Sequence, residues 1–269
     1  MAEIDVLFQD TPRSVCCHQV GDVIVDPGPG SSVEHLLAAL GDWSPRAILL
    51  THIHLDHAGA TGVLVRRFPD LEVWVHERGA PHVVDPSRLV ASATRLYGDD
   101  MERLWGEIAP VPEENLRVLR GGEVLDGYRV AYTPGHASHH VAYLHEASGT
   151  ALCGDVAGIR IGDGPVIAPT PPPDIDIPAW HASLETIAAW RPQRLALTHW
   201  GGFDDVGEHL AALHEELDAA VRAAADLGPE GYEQRMIDWY AQAGEPVAYT
   251  HAGPPPTLYP GLARYLDKS

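Results

Sequence analysis

The chain is poor in cysteine and in basic residues, and it has no long apolar run. Three cysteines, Cys16, Cys17 and Cys153, are too few and too badly spaced for a disulfide framework. Reduced thiols in a cytoplasm are therefore expected. No window reaches the roughly eighteen apolar residues that a membrane span needs. The N-terminal MAEIDVLFQD shows no basic stretch followed by an apolar one, so no secretory signal is read there. Lysine and arginine total 18 against 38 aspartates and glutamates, a net charge of −20 with neutral histidine. A surface that acidic repels phosphate backbones and anionic lipid heads, which leaves a small molecule as the expected partner rather than nucleic acid or membrane. The hydrophobic share of 45% and charged share of 21% are those of a globular protein, which excludes a disordered tail or a fibre. A length of 269 residues suggests one large domain or a domain with an appendage. The excess is in histidine, 16 residues, a common metal ligand and proton shuttle.

Apolar runs alternate with turn signals through the first half of the chain. Strands are expected at 4–8, 14–20, 22–26, 47–51, 71–76, 115–119, 128–133, 140–145, 150–155 and 194–199. A helix is expected from residue 31 or 32 to about 40, and a helical insertion over about 77–110. The proline-rich stretch 163–178 reads as a surface crossing. After it comes a helix with Asp176 as its N-cap. From about Val206 the pattern turns helical, with Leu210, Leu213, Leu217 and Val221 on one face, and a second short helix is expected around 230–243. The strands arrive in groups rather than in strict strand–helix alternation. That favours an α/β architecture of two packed sheets with helices outside. The expected core spans 1–202 and a C-terminal helical extension spans 203–269, with a homodimer as an open possibility.

The segment Thr51-His52-Ile53-His54-Leu55-Asp56-His57-Ala58-Gly59 follows a buried-strand pattern. His52 and His54 point the same way on extended backbone and can share one ion. Asp56 and His57 fall where the chain turns and can aim at a second. Three more segments place a ligand type at a strand end: Thr133-Pro134-Gly135-His136, Cys153-Gly154-Asp155 and Thr198-His199-Trp200-Gly201. The inventory closes on two divalent ions. One would take His52, His54 and His136, the other Asp56, His57 and His199, with Asp155 bridging them. Five imidazoles and two carboxylates without thiolate suit Zn2+ first, with iron or manganese compatible.

In that order, THIHLDHAG, TPGH, CGD and LTHWG resemble the metallo-β-lactamase superfamily over roughly residues 15–202. The resemblance implies an αββα sandwich and the metal assignment above. It also implies that Asp26, in VIVDPG, supports the metal loop from behind. HERGAPHVVDPSRL (76–89), PPPDID (171–176) and GLARYLDK (261–268) resemble a bacterial branch of the superfamily. Departures narrow the choice. Typical β-lactamases of this fold lack the bridging aspartate. Glyoxalase II and the persulfide dioxygenases carry a Gly-Arg motif where this chain has Val156-Ala157-Gly158-Ile159-Arg160-Ile161. Acyl-homoserine-lactone lactonases have a tyrosine where Gly158 stands. Flavodiiron proteins have a glutamate in place of His54.

The expected activity is hydrolysis: a hydroxide held between two ions attacks the carbonyl of an ester, thioester, lactone or amide, with Asp56 as the catalytic proton handler. Rival readings are a small-molecule phosphodiesterase on the same site, an iron-dependent oxygenase or redox protein, and a non-catalytic ligand sensor. Of the other histidines, His18 reads as a satisfied core residue, and His139 and His140 as supports. His76 and His82 flank the insertion; His35, His145, His181, His209, His214 and His251 read as surface or packing. Trp200, Trp239 and Tyr240 are candidate pocket walls.

Overall fold

The apolar runs build two sheets whose side chains alternate between an inner and an outer layer. The computed structural model describes residues 1–268. The first sheet holds β1 (Ala2–Asp5), β2 (Cys16–Val20), β3 (Val23–Val25), β4 (Ala47–Leu49), β5 (Glu72–His76) and β6 (Leu116–Leu119), in that order across it. The second holds β7 (Val124–Leu125), β8 (Tyr128–Tyr132), β9 (Val141–His145), β10 (Thr150–Leu152), β11 (Arg194–Leu197) and β12 (Gly201–Phe203), each beside its neighbour in sequence. β3 to β6 run parallel, as do β10 and β11; the other pairs are antiparallel.

Period-two alternation sorts the side chains. Val23, Val25, Ala47, Leu49 and Trp74 meet Val130, Val141, Tyr143 and Leu152 between the sheets. Two tyrosines cross this layer: Tyr143 donates to the Leu50 carbonyl and Tyr128 to the Val20 carbonyl. The alternate residues Ile24, Ile48, Val73 and Val75 face outward. They pack against α1 (Val33–Leu40), α2 (Leu55–Ala58), α3 (Thr61–Arg67) and the insertion α4 (Ala80–Val84), α5 (Ser87–Tyr97) and α6 (Met101–Trp105). On the far side Ala142, Leu144, Ala151, Leu195 and Leu197 face a second outer layer. It consists of α7 (Ile177–Ala189), α8 (Val206–Gln242), α9 (Pro246–Ala252) and α10 (Pro255–Leu266). Sheets covered on both faces read as nearly continuous apolar runs, which is the pattern of VIV, AILL and VAYL in the sequence. The αββα sandwich and the C-terminal helical extension are both present.

Several details differ from the sequence reading. The stretch 163–178 is not merely a surface crossing. Val166 to Thr170 are buried, and Ile159 and Ile167 exchange backbone hydrogen bonds of 2.8 and 2.9 Å. The prolines flank a short paired segment that threads under the C-terminal helices. Beyond residue 243 the expected helical extension resolves into two further helices, α9 and α10. Both carry proline in the first turn, where no backbone N–H is needed. The short strands β7 and β12 were also missed. Within α8, Gly228 (φ 67°) and Pro229 break the helix, so the two expected helices are two arms of one bent element.

That bend brings Arg235 within 3.2 Å of Glu216; on a straight helix, 19 residues would separate them by about 28 Å. Glu216 is buried, which lifts its carboxyl to about 7 although Arg235 acts in the opposite sense. A folded-state pKa above the unfolded one means that the native protein holds the extra proton between about pH 4.5 and 7. Stability from this group is therefore lost as pH rises through that window. Glu216→Gln is expected to raise Tm by about 2–4 °C more at pH 8 than at pH 5. Scanning calorimetry of both proteins checks this, and an equal shift at both pH values would contradict it.

Candidate metal centre

Strand direction delivers the polar residues to one edge. β10 and β11 are parallel, and β8 shares their direction because both β8 and β10 run antiparallel to β9. Their C-terminal ends lead into His136, Asp155 and His199, as those of the parallel β3 and β4 lead into Asp26 and the His52–His57 loop. The two sheets are joined at this edge by the Val141 N–H on the Thr51 carbonyl and the Cys16 N–H on the Thr198 carbonyl, each at 2.8 Å.

The structure brings all seven sequence-chosen residues together. Three overlapping sets have ligand atoms within 4.8 Å of one another: His52, His54 and His136; His52, His57 and Asp155; Asp56, His57 and His199. The carboxylate of Asp155 divides between the two sides. Its Oδ1 lies 3.2 Å from His57 Nε2 and 3.5 Å from His199 Nε2, while its Oδ2 lies 3.4 Å from His136 Nε2. Asp56 Oδ2 is 3.4 Å from His199 Nε2 and 3.8 Å from His57 Nε2.

The other face of each ring fixes which nitrogen points inward. His57 Nδ1 donates to Asp26 at 2.8 Å, His136 Nδ1 to the Pro169 carbonyl at 2.9 Å, and His199 Nδ1 to the Ser14 carbonyl at 2.7 Å. His52 Nδ1 meets Thr51 Oγ1 at 3.1 Å. A proton on Nδ1 leaves the lone pair on Nε2. His54 is turned the other way, with its Nδ1 facing His136 Nε2 at 3.0 Å. As a result the buried atoms His52 Nε2, His57 Nε2, His199 Nε2 and Asp155 Oδ1 have no hydrogen-bond partner. An orphaned buried polar atom costs about 1–3 kcal/mol, and four of them facing one another are what a pair of cations satisfies. The donor set fits the expected metal.

Asp26 underlies the loop as the family resemblance implied. Its Oδ2 accepts from Thr51 Oγ1, Thr198 Oγ1 and His57 Nδ1 at 2.7, 2.7 and 2.8 Å, and its Oδ1 from the Thr51 N–H at 2.8 Å. One buried carboxylate thus ties together loops from both sheets. Gly154 makes room for this arrangement, because a Cβ there (φ +50°) would collide with Thr51 Oγ1.

The charges are mutually supporting. Burial opposes a positive His57, but Asp155, Asp56 and Asp26 together raise its pKa well above the usual imidazole value. Burial would also raise the Asp56 carboxyl, yet His57 and His199 hold it at about 2, so it is ionised at neutral pH. Burial, then the neighbouring His136, lowers His54 to about 4.

A cavity of about 400 Å³ opens over His54, Asp56 and Asp155. Its walls were largely missed in the sequence. Trp200, Trp239 and Tyr240 do not line it; Tyr240 is buried in the extension, where it donates to the Gly253 carbonyl. The extension reaches the cavity instead through residues 251–254, Thr257 and Leu258. His251, read as surface or packing, is therefore a wall residue. His82 and His139 also line the cavity, whereas His76 stacks on Tyr132 at 4.6 Å. His18 and His140 are satisfied core residues, on the Leu197 carbonyl and on Thr133 and the Val156 N–H. Wall aromatics carry no motif. The repeated Thr-His pair, 51–52 and 198–199, is the one signal that could have revealed the threonine donors to Asp26.

A sequence profile described as the Metallo-beta-lactamase superfamily matches residues 17–199. The chain belongs to that superfamily. Similar superfamily proteins include the hydroxyacylglutathione hydrolase of Aeromonas hydrophila, 30% identical over 186 residues that cover 68% of this chain and 58% of that one. This chain therefore spans less than two thirds of that relative's length. The hydroxyacylglutathione hydrolase of Pseudomonas paraeruginosa is 30% identical over 225 residues, covering 80% of this chain and 71% of that one. Hydroxyacylglutathione hydrolase is glyoxalase II, so the departure at 156–161 separates this chain from that branch only in part. Arg160 of that stretch is held by Asp205 at 2.8 and 2.9 Å, over the ring of Phe203. Among solved structures, an archaeal superfamily protein from Sulfolobus tokodaii shares the fold, with a TM-score of 0.71 at 24% identity and 97% of each chain covered. TTHA1623, solved in a di-iron-bound form, is 31% identical with a TM-score of 0.59, covering 75% of this chain and 95% of that one.

Asp26 touches four groups of the centre and no cavity, so its loss should act on metal affinity. Asp26→Asn keeps the size and removes the charge, and it is expected to weaken metal binding about 10–100-fold. Competition with a chromophoric chelator measures this. Unchanged affinity in a folded variant would show that Asp26 does not orient the centre.

Proposed function

We propose that this protein is a binuclear metal-dependent hydrolase that cleaves an ester or thioester of a small molecule, with lactones and amides open to the same chemistry. The observation that carries the reading is the Asp155 carboxylate, whose Oδ1 turns to His57 and His199 and whose Oδ2 turns to His136, beside the buried His52, His57 and His199 Nε2 atoms that have no hydrogen-bond partner. The relatives named hydroxyacylglutathione hydrolase support a thioester. His52, His54 and His136 would hold one ion and Asp56, His57 and His199 the other, with Asp155 between them. Zinc is the first expectation for this donor set, and the di-iron form of a 31% identical neighbour supports iron as the alternative.

Two divalent ions held there supply a water of lowered pKa and a polarised carbonyl oxygen. The chain's own residues do the rest. The Nδ1 partners of His52, His57, His136 and His199 lock the rings, so the centre keeps its shape without reorganising. Asp56 opens to the cavity, with a side chain 20% exposed. Its ionised carboxylate orients the attacking water and takes its proton. The walls around His54 and Asp56 exclude bulk water, which strengthens every charge interaction at the reacting carbon. Three free, buried cysteines fit a reducing compartment, and we place the reaction in the cytoplasm. No helix among the described residues is long and apolar enough to cross a membrane.

Asp155→Ala is expected to lower metal content from about two ions per chain and to cut turnover of a generic thioester at least tenfold. Asp155→Asn keeps the volume and should be milder. Elemental analysis and steady-state assays on a thioester, an ester and a phosphodiester decide the matter. Full metal content and unchanged rates in both variants would overturn the bridging role, and preference for the phosphodiester would replace the reaction class.

A further inference from the structure

The cavity over the metal centre has two unlike ends. One end is apolar and aromatic. Phe8 stacks on Trp105 at 5.5 Å, and Tyr97 meets the same indole edge-on at 5.1 Å. Leu96 lies at the mouth, 62% exposed, and Leu258 closes the wall from the extension. The other end carries Arg78 and Arg88, with His82, His139 and Asp174 also on the lining; the Asp174 carboxylate accepts from the Ser138 hydroxyl at 2.6 Å. Helix α5 connects the two ends. Arg88 stands in its first turn and Leu96–Tyr97 in its last, about 13 Å apart at 1.5 Å per residue. Asp56 and Asp155 open into the same cavity.

Arg78 and Arg88 belong to the minority of arginines without an ion pair. The chain has 38 carboxylates against 18 basic residues, and most of its arginines are taken up in ion pairs, among them Arg13, Arg46, Arg117, Arg160 and Arg194. Arg78 and Arg88 make no ion pair with any described residue. Arg78 lies over the Tyr132 ring at 5.5 Å, which steadies its stem and leaves the guanidinium donors free. Two cations left unpaired beside a cavity, in a protein with a large surplus of carboxylates, are placed for an anion that arrives with the ligand. The aromatic end asks for the opposite chemistry.

Resting on the hydrolase reading, we propose that the cavity selects an acyl ester or thioester of two-ended character. An apolar acyl group of medium length lies on the Phe8–Tyr97–Trp105 wall, and the alcohol or thiol arm carries an anionic group received by Arg78 and Arg88. The scissile carbonyl then falls between the ends, over Asp56 and Asp155. Water adds to the carbonyl carbon, the C–S or C–O bond breaks, and the leaving thiol or alcohol takes the proton that Asp56 has held. The products are a carboxylic acid and the anionic thiol or alcohol. The volume of about 400 Å³ lies within the range of pockets that enclose small organic ligands.

The test measures binding and does not depend on turnover. The probes are two inert thioethers, S-octyl-coenzyme A with an anionic arm and S-octyl-N-acetylcysteamine with a neutral one. Each is titrated calorimetrically into the metal-loaded protein. The anionic probe is expected to bind at least tenfold more tightly than the neutral one, and to lose that advantage in Arg78→Ala/Arg88→Ala. Arg222→Ala, a charge loss away from the cavity, should change neither. Leu96→Asp, on an exposed side chain whose loss spares the core, should weaken both probes. Equal affinity of the wild type and the double arginine variant for the anionic probe would overturn the proposal. So would failure of both probes to bind. Tight, arginine-dependent binding without hydrolysis of the matching octanoyl thioester would leave the recognition intact and overturn the hydrolase reading instead.

Discussion

Four buried polar atoms, three imidazole nitrogens and one carboxylate oxygen, face one another without a hydrogen-bond partner, and the rest of the structure is arranged around that confrontation. Buried polar atoms that water cannot reach are costly to bring together, so the polypeptide holds them in place from outside. It does so through the far side of each ring. The Ser14 and Pro169 carbonyls and the Asp26 carboxylate fix three of the rings from outside the cluster. Asp26 then recruits Thr51 and Thr198, so that a loop from each sheet is tied to one carboxylate. The sandwich supplies what this needs: parallel strands ending on one edge of each sheet, and a dry layer between the sheets that keeps those ends in register.

Folding toward such a centre is uphill in the absence of cations, and the surrounding layers supply the compensation. Trp74, Tyr128 and Tyr143 fill the space between the sheets, and the two tyrosines spend their hydroxyls on backbone carbonyls of the opposite sheet. The C-terminal extension covers the outer face of the second sheet and then turns back to the metal edge through its last two helices. It is thus at once an outer layer of the sandwich and part of the cavity. The bend at Gly228–Pro229 accomplishes this by folding α8 on itself, at the cost of a buried Glu216 that only Arg235 offsets.

The metal edge was legible in the sequence because its logic is local. His52, His54, Asp56 and His57 lie within six residues, and His136, Asp155 and His199 each end a recognisable apolar run. Strand alternation in VIV and AIL carried the layers for the same reason. What escaped was tertiary. Phe8, Tyr97 and Trp105 come together from three separate stretches with no shared spacing. The carbonyls of Ser14 and Pro169 have no side-chain signature at all. The sequence reading places no individual helix beyond residue 243, where α9 and α10 each begin at a proline. Trp200, Trp239 and Tyr240 are aromatics near a motif or on a helix face, yet they pack on the outer core of the second sheet, Tyr240 buried and the two tryptophans partly so. The Val166–Thr170 strip was hidden because its pairing with Ile159 is made by backbone alone.

Charge gives the molecule its polarity at larger scale. An acidic exterior surrounds a cluster that is built for cations, and its cavity is lined by two arginines that form no ion pair with a described residue. The central claim, that Asp155 stands between two ions, is tested most directly by anomalous diffraction from crystals of gently purified protein, recorded on either side of the zinc and iron absorption edges. Two peaks about 3.5–4 Å apart are expected, one against His52, His54 and His136, the other against Asp56, His57 and His199, with an Asp155 oxygen directed to each. A single peak, under metal concentrations that saturate the protein, or two peaks with Asp155 turned away from both, would contradict it.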